Sequence, residues 1–467
     1  MSTVVRDIDW LVAWDAENAR HVYVRGADLA FDDGVFTGIG AALPGPFEHE
    51  IDGRGRLVIP GLVNVHTHPT TETLRKGLTD ETVSPGFWHS SLYEHLTVFN
   101  PVDDAGRRAA LLVALGELLL SGVTSVIDLS VPFDGWLDAL AESGLRAVAA
   151  PMFRDARWRT GDGHSLQYEW NERAGREGFE RACRVVELAR QHPSGRLSGA
   201  MAPGQVDTCT ERTLRDSHDF ARERGLPWTV HAAQSVTEFH EMQHRHGKTP
   251  IEWLADLGVL DERSLIAHAI FLDHHPWLHW TSQRDQARLA ERGSAIAHCP
   301  TVFSRRGIAL ATLGGYRQAG IGVGIGTDTY PHNMLDEMRT AALAARLSAG
   351  TVTDLTYRDV FECATVGGAA ALGRNDLGRV APGCLADFAS IALDHPAMMP
   401  VREPLRSLLV VAAERAVQDV YVGGEPVVRD GRLQTIDLEA ESARLQRAQQ
   451  AMLGAVSGLD WAGRGAA

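Results

Sequence analysis

The chain has 467 residues, 44% of them apolar and 22% charged, so it can bury a full core. A net charge of −15 argues against nucleic acid or anionic membranes as main partners. No apolar run approaches the ~18 residues of a membrane span, and the start Met1–Asp7 lacks the apolar core of a secretory signal, so a soluble, cytoplasmic protein is expected.

Residues 1–57 alternate apolar and polar, with turn chemistry at Asp32-Asp33-Gly34 and Asp52-Gly53-Arg54-Gly55. This pattern predicts short antiparallel strands. The apolar run Leu57-Val58-Ile59 then opens a buried strand that reads through Pro60-Gly61-Leu62-Val63-Asn64-Val65-His66-Thr67-His68. In an extended strand, residues two apart share a face, so His66 and His68 can offer two imidazoles to one metal ion. Alone, such a pair is weak; a lone strand-end histidine is more often a packed core residue. The segment 84–99 follows, with Trp88, His89, Tyr93, His95 and Phe99. Aromatic side chains there suit a planar or apolar substrate, or simply packing.

Helical spacing of Ala109, Leu112, Leu115, Leu118 and Leu119 predicts a helix over 106–120, and Gly122–Asp128 reads as the next strand. Residues 152–178 are less regular and carry Trp158, His164, Tyr168 and Trp170, as a surface loop or as a loop over a site. Helices are expected over 177–191 and 211–224, with a strand near 197–206 between them. Three further apolar strands end in ligand-type residues: Pro227–His231, Ser264–His268 and Gly322–Asp328. Another ends at His298, before Cys299-Pro300. Residues 379–435 return to short strands, with a tight Gly423-Gly424 turn, and a last helix is expected over 437–454.

Strands alternating with helices define βα units. In a parallel barrel all strand C-termini converge on one face, so ligands from separate strands can meet around one ion. The expected fold is α/β, a distorted (β/α)8 TIM barrel over 58–378. Residues 1–57 plus 379–435 would form a small β-sandwich domain from both termini, and 436–467 a C-terminal helix and tail.

The ordered motifs are Pro-Gly-Leu-Val-Asn-Val-His-Thr-His (60–68), Ser-Gly-Val-Thr-Ser (121–125), His-Ala-Ala (231–233), Ala-His-Ala (267–269), Ala-His-Cys-Pro (297–300), Gly-Thr-Asp-Thr (326–329) and Gly-Arg-Val-Ala-Pro-Gly-Cys-Leu-Ala-Asp-Phe (378–388). From about residue 20 to 435 the chain resembles the amidohydrolase superfamily. Within it, the resemblance is to the branch of triazine chlorohydrolases and aminohydrolases, with phenylurea and thiocarbamate hydrolases of similar size. The resemblance implies the barrel with its composite β domain, a homodimer, a small-molecule substrate and water. It also implies one divalent metal ion, zinc first, with Fe2+ or Co2+ as alternatives. His66, His68, His231 and Asp328 would hold it, and a bound water would be acidified towards a pKa of ~7. Asp328 would take the proton of that water, and His268 would polarise the electrophile or itself approach the ion. Some relatives bridge two metals with a lysine on the fourth strand. The chain has only Lys76 and Lys248, neither in 197–206, so one metal is expected.

Two departures from the family pattern matter. Aminohydrolases usually carry glutamate three residues after the strand-five histidine; here it is Gln234. An amide has no proton to exchange, so it cannot act as a general acid. Glu238, four residues on, is a candidate substitute. The second departure is Thr301-Val302-Phe303-Ser304, where aminohydrolases commonly have a Ser-Asn pair. Trp88, His89, His164, Glu238 and His298 are candidate substrate contacts. Gln234 favours cleavage of a C–N, C–S or C–Cl bond in a urea, (thio)carbamate or s-triazine. Deamination of an N-heterocycle ranks second. A non-catalytic binding relative ranks last, because the whole ligand set is present.

Overall fold

The computed structural model describes residues 2–77, 102–159, 165–310 and 313–454. Trp88, His89 and His164 lie outside the described residues. Eight short parallel strands carry the centre of the molecule: β1 (Leu62–Asn64), β2 (Val123–Asp128), β3 (Arg146–Ala149), β4 (Leu197–Gly199), β5 (Trp228–Ala232), β6 (Ser264–His268), β7 (Ala295–His298) and β8 (Gly322–Ile325). They form two four-stranded sheets, ordered β4-β3-β2-β1 and β5-β6-β7-β8. The sheets meet at both edges. At one seam Val65 N donates to Ile325 O (3.1 Å) and Asp328 N to His66 O (2.8 Å). At the other, Thr229 N donates to Met201 O (2.9 Å) and Met201 N to Pro227 O (3.1 Å). The result is a ring of two half-sheets rather than one closed ladder. Every residue of β2, β5, β6 and β7 is buried, as expected of parallel strands covered on both faces.

Helices cover the outside. Three of the expected ones appear as α1 (Asp104–Leu120), α2 (Glu172–Arg190) and α3 (Glu211–Glu223), and two that the sequence reading did not name, α4 (Val236–His246) and α5 (Met334–Ala349), follow β5 and β8. Their starts are chemically marked. Asp103, Thr210 and Ser235 accept backbone N–H groups at the first turns of α1, α3 and α4.

Strands from both ends of the chain share one seven-stranded sheet, in which Phe388–Ala392 lies antiparallel to Arg56–Pro60. A four-stranded sheet of N-terminal strands adjoins it through a common apolar cluster that includes Leu29, Phe31, Phe36, Val58 and Phe388. The Gly423-Gly424 turn has φ of 59° and 76°, the double left-handed geometry that glycine permits without strain.

Two expectations need correction. Leu57-Val58-Ile59 does not run on into the histidine strand. It lies in Arg56–Pro60, within the seven-stranded sheet, and the first ring strand starts only at Leu62. Gly61 makes the crossing: a Cβ there would fall 2.1 Å from Thr124 Oγ1. The second concerns 152–178, which contains an antiparallel hairpin, Ala156–Arg159 against Gln167–Trp170. Trp158 Nε1 (3.0 Å) and Tyr168 Oη (2.7 Å) both donate to Asp207 Oδ2, beyond β4. Arg245 of α4 donates to Asp207 O and lays its guanidinium 4.7 Å from the Tyr168 ring centre. Trp158 stands opposite Tyr168 across the hairpin, and such a cross-strand aromatic pair explains why this polar-looking stretch pairs.

Candidate metal centre

The C-terminal ends of β1, β5, β6 and β8 converge on one point. His66, His68 and His231 form one set of donors and His66, His268 and Asp328 another; within each, the ligand atoms lie within 4.8 Å of one another. His68 Nε2 is 3.1 Å from His231 Nε2, and Asp328 Oδ1 is 3.5 Å from His66 Nε2 and 3.4 Å from His68 Nε2. Donors bound at ~2.0–2.2 Å in a tetrahedron stand ~3.3–3.6 Å apart, so these spacings suit one ion. His268 Nε2 lies further out, 4.0 Å from Asp328 Oδ2.

Outer contacts aim the rings. His68 Nδ1 faces Leu129 O at 2.9 Å and His231 Nδ1 faces Gly204 O at 2.6 Å, which turns both Nε2 atoms inward. Among the described residues, Nδ1 of buried His66 and Nδ1 of His268 have no hydrogen-bond partner, and His66 Nε2 has only Asp328 Oδ1, at 3.5 Å. Such atoms carry a large cost unless something binds them. Asn64 ties the seam beneath them. Its Oδ1 accepts from His66 N and Thr327 N (both 3.2 Å), and its Nδ2 donates to Thr327 Oγ1 (2.9 Å). The sequence reading passed over Asn64, although it sits inside the histidine motif.

Backbone strain gathers here as well. Ala233, His268, Ala269 and Asp328 all have positive φ, of 55°, 78°, 46° and 59°. Non-glycine residues hold that geometry only where surrounding structure enforces it.

Burial keeps the imidazoles neutral. It lowers His66, lowers His231 well below the usual range, and takes His268 and His298 to about 3. Neutral imidazole is the form that ligates metal. For Asp328 burial acts upward, but hydrogen bonding from His66 and the nearby histidines outweigh it. The carboxylate stays ionised, well below its usual range.

The other candidates divide. Gln234 is buried beside the centre, with Nε2 lacking a partner among the described residues. Glu238 lies behind the same loop. Its oxygens accept Ala233 N (2.6 Å) and Gln234 N (3.3 Å), and burial with the nearby Asp207 carboxyl pushes its pKa well up. His298 is buried at the end of β7. Lys76 and Lys248 pair with Glu117 and Asp256, remote from β4. Phe303 was passed over as a site residue; its ring packs edge-on against His268, with centroids 4.8 Å apart.

Residues 57–427 match the amidohydrolase family, to which the chain belongs. A 5-methylthioadenosine/S-adenosylhomocysteine deaminase of Natronomonas pharaonis is 31% identical over 431 residues, covering 91% of this chain and 93% of its own. A 5'-deoxyadenosine deaminase of Methanothermobacter thermautotrophicus is 30% identical over 417 residues, covering 88% and 91%. A solved structure of an atrazine chlorohydrolase variant from Arthrobacter aurescens TC1, complexed with zinc and atraton, superposes with a TM-score of 0.80. Its identity is 25%, with 96% of this chain and 100% of that chain covered. The chain is therefore an enzyme of hydrolytic type acting on carbon–nitrogen bonds. The relatives back deamination better than the urea, carbamate or triazine cleavage that Gln234 favours.

Proposed function

We propose that this enzyme is a mononuclear, metal-dependent deaminase of an adenosine-type nucleoside. The observation that carries the proposal is the convergence of His66, His68 and His231, with the Asp328 carboxylate 3.4 Å from His68 and 3.5 Å from His66, in a chain 31% identical to a named nucleoside deaminase. His66, His68, His231 and Asp328 would hold one divalent ion, zinc first. When bound, such an ion supplies an acidified water and Lewis-acid polarisation.

The chain's own residues supply the rest. Asp328, ionised and at the centre, takes a proton from the attacking water. His268, buried and neutral, hydrogen-bonds the reacting centre. Gln234 Nε2, without a partner among the described residues, donates to a ring nitrogen of the purine. It holds that nitrogen but cannot protonate it. Asp328 then returns its proton to the departing amine. Glu238 positions the Ala233–Gln234 turn, because both its oxygens are engaged by backbone amides.

A second reading keeps one specific support. The missing general acid at Gln234 suits a leaving group that departs without full protonation, such as chloride or a thiolate. The test is a panel of adenosine, 5'-deoxyadenosine, 5'-methylthioadenosine, chlorotriazines and aryl ureas, with the zinc-loaded chain and released groups identified by mass spectrometry. Ammonia from the nucleosides is expected. Chloride or aniline release with the nucleosides untouched would replace this reading by the second.

A further inference from the structure

The wall of the site next to His231 carries a guanidinium. Met152–Phe153 runs parallel to Ala202–Pro203 and extends the ring beyond β3 and β4. Phe153 faces outward, onto Phe179 of α2, with ring centres 5.7 Å apart. Met152 packs on the apolar cluster inside the ring, which includes Val65, Leu129, Ala202 and Leu265. Residues two apart share a face, so Arg154 follows Met152 to the inner side. Gly204 agrees with that placement: a Cβ there would lie 3.6 Å from Arg154 Cβ and 3.8 Å from Met152 Cε. Gly204 N donates to Phe153 O (2.7 Å), and Gly204 O faces His231 Nδ1 (2.6 Å). One glycine, with no side chain to fill the space, therefore separates Arg154 from the candidate ligand His231.

Neither Arg154 nor Arg157 has a hydrogen-bond or ion-pair partner among the described residues. The nearby Asp207 carboxylate accepts from Trp158 and Tyr168 through Oδ2. Glu169, opposite Arg157 across the hairpin, pairs with Arg159 at 4.0 Å. Arg154 is exposed, yet desolvation by surrounding protein and then the like charge of Arg157 lower its pKa, as expected of a cation in a hollow rather than on a convex surface. The chain's net charge of −15 disfavours anions in general, and this local pair of cations reverses that at the site.

Resting on the deamination reading, we infer that the substrate carries an anionic group remote from the reacting carbon, and that Arg154 binds it, with Arg157 adding charge. A guanidinium presents a planar fork of N–H donors that matches the oxygens of a carboxylate or a phosphate. The amino group that leaves belongs at the metal centre. The anion therefore sits at the other end of the substrate, the sugar side of an adenosine-type nucleoside.

The test measures kcat and KM from ammonia release, with the zinc-loaded full chain and four substrates. Adenosine and 5'-methylthioadenosine are the neutral pair, adenosine 5'-monophosphate offers a phosphate, and S-adenosylhomocysteine offers a carboxylate. One of the anions should exceed 5'-methylthioadenosine in kcat/KM by ~10–100-fold, the worth of hydrogen bonds to a charged group. Which of them leads identifies the anion. Arg154→Ala should erase that ratio, mainly by raising KM for the anion, and Arg154→Lys should restore part of it. Ratios within one variant do not depend on how much of it folds. A neutral substrate that matches or exceeds both anions, or an anion preference unmoved by Arg154→Ala, overturns the assignment and leaves deamination standing. No ammonia from any of the four overturns the deamination reading and the assignment with it.

Discussion

Gln234 is the residue on which the chemistry turns. It stands three residues beyond His231, buried, with an amide nitrogen that has no hydrogen-bond partner among the described residues. Replacing it by glutamate restores a transferable proton, and general acid catalysis is typically worth ~10²–10⁴-fold. Gln234→Glu should therefore raise ammonia release from adenosine, and a new limb should appear in the pH–kcat profile where the introduced carboxyl titrates. An unchanged rate and profile would show that position 234 takes no part in proton delivery. Asp328→Asn should do the opposite, lowering kcat/KM by at least ~10² and reducing metal content measured by elemental analysis. The ligand-type residues were legible because each ends an apolar run, a pattern visible without coordinates. Phe303 and Asn64 were not. An aromatic ring and an amide carry no such signal until folding sets one against His268 and the other across the β1–β8 seam.

At the scale of elements, helices read from apolar spacing fall within a few residues of α1, α2 and α3, because their buried faces follow the helical repeat. Strand ends were clear and strand starts were not. No polar side chain interrupts the run from Leu57 to Val63, but the chain changes sheets between Pro60 and Leu62. Gly61 permits that change, since any Cβ would meet the Thr124 side chain. Gly61→Ala should cost ~1–3 kcal/mol by overpacking, read as a lower urea midpoint. A midpoint equal to the parent's would mean that β2 yields there and that the crossing does not depend on glycine. The Ala156–Arg159 and Gln167–Trp170 hairpin escaped the reading because its anchor, Asp207, lies 39 and 49 residues from Tyr168 and Trp158.

Across the whole molecule, buried titratable groups set opposing slopes of stability against pH. Burial holds His21, His268, His298 and His332 at about 3. The unfolded chain binds those protons from ~6.5 downward, so stability falls as pH drops below that value. Burial also raises Asp128 to about 7 and Glu337 to about 8. The folded chain keeps protons that the unfolded chain releases from ~4 upward, so these two groups remove stability as pH rises, up to their folded values. Above ~6.5 only the carboxyl slope remains. Metal-free protein should therefore show a maximal urea midpoint near neutrality, and Glu337→Gln should flatten the decline towards pH 8. A parent midpoint that still rises from pH 6.5 to 8 would contradict this. The pairing of the chain's two ends was foreshadowed by matching strand-and-turn patterns at 1–57 and 379–435. The two-sheet construction of the ring was not, because strand pairing leaves no trace in local pattern.

The most direct test of the central claim is ammonia release from adenosine in 18O-labelled water, with chelated and zinc-reconstituted chain side by side. The account predicts no release after chelation, recovery at one zinc per chain, and one 18O atom in the inosine formed. Release that survives chelation, or recovery that requires two ions per chain, would contradict a single metal centre at His66, His68, His231 and Asp328.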